Sequence, residues 1–253
     1  MLQFKQLRYF LVIVLAILAS IFLNSGISIL ILALLSFVAL REYLSLLDIR
    51  IEDRFGILVS YLSIPFLFYL VWINWYGLFI ISIPVYTFLI VPFFIALGGR
   101  TRGITFSVGA IDFGLFFFVF CLGHLAYLIA YAPMMAALIV SMIATCDMLA
   151  RKFPTKHFYY ALLSLLIITP ILVLVGPLVE IPPLLSLCLS IIIIALVYKG
   201  HFTLNAIGED LGIRPDRLTP GRGLALDSLK AYLYSIPVLF HCLRWILHIG
   251  DPK

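Results

Sequence analysis

The chain has 253 residues, of which 64% are apolar or aromatic and only 11% are charged. Soluble domains carry roughly 25% charged residues; with a mean hydropathy of +1.19, an ordinary soluble protein, a disordered chain and a disulfide scaffold are excluded. The net charge of +5 sits between long apolar runs, where Lys and Arg report orientation and not a nucleic-acid partner.

A transmembrane barrel would show short alternating segments, so the runs predict an all-α, polytopic integral membrane protein. Lys5 and Arg8 precede the first run, 9–23. That order resembles a signal peptide, with Ala19 as the small residue before a cut. A second run, 27–40, follows at once, and the pair predicts a helical hairpin that stays on the protein, either as two short spans or as a re-entrant element. Further spans are predicted at 56–72, 77–97, 111–131, 134–150, 158–176, 183–198 and 229–248, about nine in all.

Basic residues fall in every second connection: Arg41, Arg50 and Arg54; Arg100 and Arg102; Arg151, Lys152 and Lys156; then Lys199, Arg214, Arg217, Arg222 and Lys230. The intervening connections hold none; Arg244 and Lys253 fall elsewhere. The positive-inside rule therefore predicts a cytoplasmic N-terminus and a multi-pass protein of the inner (cytoplasmic) membrane. No second domain or internal repeat is visible, which predicts one membrane domain, 1–253, with a long cytoplasmic loop at 199–230. Trp72, Trp75 and Tyr76 predict an interfacial aromatic belt. Cys121, Cys146, Cys188 and Cys242 lie in apolar stretches without metal-type spacing and are read as small packing residues.

Ionisable groups within or at the edge of a membrane are costly, which makes each a functional candidate. They are Asp112, His124, Asp147, His201, Asp227 and Arg244. Asp147 is read either as a carboxylate paired with Arg151 and Lys152 or as a metal ligand. Asp112 is read as a helix cap, His124 as a neutral hydrogen-bonded histidine between helices, and Arg244 as a side chain reaching outward. In the 199–230 loop, Pro220, Gly221 and Gly223 mark a turn whose amides suit a phosphate. Arg214, Arg217 and Arg222 add guanidinium groups, and Asp227 opens the last helix. A solvated basic loop near anionic lipid heads gives much the same pattern.

These residues resemble the phosphatidate cytidylyltransferase (CDP-diacylglycerol synthase) family. Leu218-Thr219-Pro220-Gly221-Arg222-Gly223 through Asp227-Ser228-Leu229-Lys230 is similar to the family's L-x-P-G-H-G-G-x-x-D-R-x-D-S run, and Ile236-Pro237-Val238 to the A-P-V step beyond it. Arg41-Glu42-Tyr43 is similar to an Arg-Glu-aromatic element, and Asp147 with Ala150 to D-x-x-A-Y. The departures are specific. The S-P-x-K-T-x-E-G segment is absent after the sixth span, the family's Lys-Arg pair is Gly208-Glu209, its Lys-Asp pair is Arg214-Pro215, an Asp appears as His201, the His is Arg222, and the second Asp is Lys230.

The resemblance implies an activity at the cytoplasmic face: CTP and phosphatidate give CDP-diacylglycerol and pyrophosphate. It implies Mg²⁺ on Asp147 and Asp227 as the catalytic pair, a phosphatidate-like phospholipid partner, and a homodimer; in an active chain the phosphate contacts are expected from Arg214, Gly221, Arg222, Gly223 and Lys230, the last standing where the family has an Asp. The alternative is a catalytically lapsed relative that binds phospholipid or a partner protein, since Lys230 reverses a charge where a metal ligand is expected. A transporter is the third reading, and no inverted repeat favours it.

Overall fold

The computed structural model describes residues 2–48, 50, 53–99, 102–214 and 218–247, the side chains of 2–6 excepted. Arg100, Pro215, Arg217 and Lys253 lie outside the described residues, as does the side chain of Lys5. Among the described residues there are no strands, one short 3-10 turn at Gly176–Val179 and nine long helices. They are α1 (Leu2–Phe22), α2 (Ser25–Leu44), α3 (Arg54–Trp72), α4 (Tyr76–Ala96), α5 (Ile104–Tyr131), α6 (Pro133–Lys152), α7 (His157–Val175), α8 (Pro183–Asp210) and α9 (Leu224–Leu247). Seven of these, α2 to α8, are long and apolar enough to cross a membrane. The protein is a multi-pass helical membrane protein.

Local chemistry sets the helix ends. The Asn24 side chain accepts the Gly26 amide at 2.6 Å and caps α2. Pro133 and Pro183 start α6 and α8, where a missing N–H costs nothing. Pro65, Pro92, Pro170 and Pro237 lie inside helices, which packed membrane helices tolerate. The most buried span is α5, surrounded by α2, α3, α4, α6 and α9.

Two boundaries differ from the sequence expectation. Helix α5 begins at Ile104, not 111, so Asp112 sits in its ninth position and caps nothing. Its Oδ2 is buried without a hydrogen-bond partner among the described residues. The second difference concerns the segment expected as a loop from 199. Helix α8 runs through the apolar stretch and on to Asp210, 28 residues in all. At 1.5 Å per residue that is about 42 Å, longer than the roughly 30 Å hydrocarbon core, so its last turns reach the membrane edge. The Lys199-Gly200-His201 break in hydropathy is a packing feature: a Cβ on Gly200 would stand 3.0 Å from the Lys230 carbonyl oxygen and 2.9 Å from Tyr234 Cβ, so α8 and α9 approach closely there.

Tyr76 also departs from expectation. Trp72 and Trp75 are exposed, but Tyr76 turns inward and its hydroxyl meets His241 Nδ1 at 3.1 Å. His241 Nε2 meets His124 Nε2 at 3.2 Å, and His124 Nδ1 donates to the Phe120 carbonyl at 2.8 Å. That last bond requires the proton on His124 Nδ1 and leaves its Nε2 as acceptor. His124 is therefore a hydrogen-bonded histidine between α4, α5 and α9. The Arg244 guanidinium lies 3.7 Å above the Tyr76 ring, a cation–π contact. All four cysteines are free thiols.

At the opposite end of the bundle, Asp53 joins the α2–α3 connection to α5. Its carboxylate accepts two bonds from Arg50 and one from Ser107. Burial pushes the Asp53 carboxyl up, but the bonds and charge of Arg50 with the Ser107 hydroxyl hold it below the usual carboxylate range.

Candidate functional site

The end of α6, the overhanging turns of α8 and the start of α9 meet around one ionic cluster. Asp147 and Arg151 are four residues apart on α6, a spacing that places them on one face, and Arg151 Nε donates to Asp147 Oδ2 at 2.8 Å. The same guanidinium crosses to α9, with Nη1 on Asp227 Oδ2 at 2.9 Å and Nη2 on the Asp227 carbonyl at 2.7 Å. His201 Nε2 meets Asp147 Oδ1 at 2.7 Å. An ionised carboxylate only accepts, so that nitrogen carries the proton. Lys230, one turn after Asp227, donates to Asp227 Oδ1 at 2.7 Å and to Asn205 Oδ1 at 2.8 Å. Lys230 is only 4% exposed, so its charge is held by these partners and not by water.

Beside the cluster lies a cleft of about 500 Å³, within the range that holds small ligands. Arg151, His201, Asn205, Glu209, Asp227 and Lys230 supply its polar wall. Leu204, Ile213, Leu218 and Leu226 supply the apolar wall. A second chamber of about 260 Å³ shares His201, Asn205 and Glu209 with the first, and is walled by Tyr160, Tyr198 and Phe202.

A buried carboxylate on α2 sets the start of α9. Glu42 Oε1 accepts the Ala225 amide at 2.8 Å, and Glu42 Oε2 accepts the Tyr9 hydroxyl at 3.1 Å. Ala225 is in the first turn of α9, where amides lack helical partners and the dipole favours an anion. The contact fixes the helix two residues before Asp227. Glu42→Ala is expected to strand both donors and to lower stability by about 2 kcal/mol or more, read as a fall in Tm in detergent; an unchanged Tm contradicts this role.

Of the expected site residues, the structure brings Asp147, Asp227 and Lys230 together. Arg214, Gly221 and Arg222 are exposed and absent from the cleft's lining, as is Gly223. Gly223 has φ +86° and packs its α-carbon against Ile213. The Pro220–Gly223 turn thus packs closely on Ile213 at Gly223, where α9 starts. Of the two readings of Asp147, a partner of Arg151 and Lys152 or a metal ligand, the structure shows the pairing with Arg151, which the i,i+4 spacing signals; the reach of Arg151 to Asp227 has no such signal. Asn205 was missed because 199–230 was read as a loop; on a helix, His201 and Asn205 at i,i+4 share a face.

The donor set does not fit the Mg²⁺ that the resemblance implies. All four carboxylate oxygens of Asp147 and Asp227 already accept from Arg151, His201 or Lys230, and the two carboxylates are matched by two fixed cations. A divalent ion 4 Å from a lysine meets a repulsion on the order of 8 kcal/mol at an effective dielectric near 20. Among the described residues no group of three or more His, Cys, Asp or Glu side chains is arranged to hold a metal.

No family model matches the chain, and no solved structure matches it. The chain is similar to YnbB, an uncharacterized protein of Escherichia coli K12, at 26% identity over 238 residues, covering 84% of this chain and 78% of the relative.

Proposed function

We propose that this chain is a relative of the phosphatidate cytidylyltransferases that crosses the cytoplasmic membrane nine times, N-terminus inside, and holds a phosphorylated lipid headgroup in the α6–α8–α9 cleft. The observation that carries the reading is that Asp227 and Lys230 of α9 line one cleft at the end of the bundle with Arg151 and His201, the two side chains that Asp147 of α6 holds from behind. Arg151 and Lys230 line that cleft and present cations to a phosphate. The mixed walls suit a lipid, with a polar face for the headgroup and an apolar face for the glycerol and upper acyl carbons.

The reaction this reading gives is attack of a phosphatidate oxygen on the α-phosphorus of CTP. A phosphorus–oxygen bond forms to the lipid, the α–β bridge breaks, and pyrophosphate leaves. Arg151 and Lys230 neutralise phosphate charge in the ground state and as it shifts. Asp147 and Asp227 orient those two cations. A second reading, a lapsed relative that binds the lipid without turnover, is favoured by one observation: both carboxylates are fully engaged by protein donors.

The test is an assay on purified protein with labelled CTP, phosphatidate and Mg²⁺, with Asp227→Asn alongside. CTP-dependent product that disappears in the variant supports nucleotidyl transfer. Phosphatidate retained through purification, with no CTP consumed, supports the lapsed reading. The absence of both product and retained phosphatidate overturns the proposal.

A further inference from the structure

The ionic cluster has more to say about how a phosphate is held. A divalent ion needs oxygen ligands with free lone pairs, and Mg²⁺ takes one or two carboxylates, with waters or phosphate oxygens completing a strict octahedron at about 2.0–2.1 Å. Here each carboxylate oxygen of Asp147 and Asp227 faces an N–H. Lys230 is the decisive residue. It sits at i+3 from Asp227, on the same helix face, where a carboxylate would have joined Asp147 and Asp227 as a third acidic ligand. Its ammonium is instead clasped between Asp227 and Asn205 and is almost wholly buried. Moving it aside for a metal would break two bonds and leave a largely buried charge without its partners.

A phosphate makes the opposite demand, because it needs donors. Arg151 has five N–H groups, of which three serve the cluster; Lys230 has three, of which two do so. Both side chains line the cleft. We propose, resting on the lipid-binding reading above, that the cleft binds the phosphate monoester of an anionic lipid directly through Arg151 and Lys230, with no divalent cation between protein and phosphate. The two side chains occupy the electrostatic place of a metal, and the carboxylates serve to hold them there.

The experiment is a calorimetric titration of short-chain phosphatidate into the full-length protein in neutral detergent, in EDTA and in millimolar Mg²⁺. The expected affinities agree within about twofold, and Lys230→Met weakens both by about tenfold or more. Binding that appears only with Mg²⁺ overturns the inference but leaves the lipid-binding reading standing. Binding in neither condition overturns both. Inorganic phosphate, titrated in parallel, is expected to bind far more weakly; an equal affinity would make free phosphate the ligand and overturn the assignment to a lipid.

A second measurement needs no lipid. Mn²⁺ added to the wild-type protein is expected to keep the paramagnetic resonance signal of the free aquo ion, whereas Lys230→Asp, which restores a third carboxylate, is expected to bind Mn²⁺ and quench it. Micromolar Mn²⁺ binding by the wild type that is lost in Asp147→Asn contradicts the inference. Should Lys230→Met fail to fold, the EDTA comparison on the wild type still decides the matter.

Discussion

An Arg151→Met variant is expected to lose about 3–5 kcal/mol of folding stability, the range for removing one partner from a buried ion pair. The reason is local and countable. One guanidinium makes three bonds, to the Asp147 carboxylate, the Asp227 carboxylate and the Asp227 carbonyl, and so joins α6 to α9. Methionine fills much of the volume but leaves Asp147 with only His201 and Asp227 with only Lys230 among these cluster partners. Lys152, the next residue, is exposed at the end of α6, and Lys152→Met is expected to change stability by no more than about 0.5 kcal/mol. Unfolding in mixed micelles compares the two. Equal effects would show that Arg151 is a surface cation and that the cluster does not hold the helices together.

Gly223→Ala is expected to cost about 2–4 kcal/mol, combining a left-handed backbone penalty with overpacking. Gly223 has φ +86°, and a Cβ there would fall 2.6 Å from two carbons of Ile213. Gly221 separates the two contributions. It has φ +81° but open space around its α-carbon, so Gly221→Ala is expected to cost only the backbone part, about 1–2 kcal/mol. Ile213→Ala added to Gly223→Ala is expected to recover some of the loss, since it relieves the clash. If Gly221→Ala and Gly223→Ala prove equally destabilising, the packing of the turn on Ile213 is not what starts α9.

Apolar runs of about 20 residues report membrane helices because backbone groups in lipid have no partner except their own helix. That signal locates α2 to α8 and predicts the all-helical class. It fails where a helix outruns the hydrocarbon: Lys199 and His201 end the apolar run, yet α8 continues for several turns because Gly200 packs on α9 and His201 bonds to Asp147. Asp112 was misplaced for the same reason at the start of α5.

The acidic pair was legible only through resemblance, since nothing in composition joins Asp147 to Asp227. What joins them is Arg151, a tertiary contact. Glu42 illustrates the limit most clearly. It follows the second apolar run and is marked in the sequence only as part of Arg41-Glu42-Tyr43, yet it lies on α2, is buried, and binds an amide that the chain reaches only at Ala225. The glycine-rich turn shows the reverse. Its residues suggest a phosphate cradle, while the structure uses Gly223 for close packing. A turn's composition reports its backbone conformation, and the neighbours decide what that conformation is for.

The most direct test of the central claim is photolabelling of the full-length protein in nanodiscs with a phosphatidate that carries a photoreactive group near the headgroup. The account predicts label on α8 between His201 and Asp210 or at the end of α6, displaced by excess phosphatidate and not by phosphatidylcholine. Label spread over the lipid-facing surfaces of α3, α4 and α7, undisplaced by phosphatidate, would contradict it.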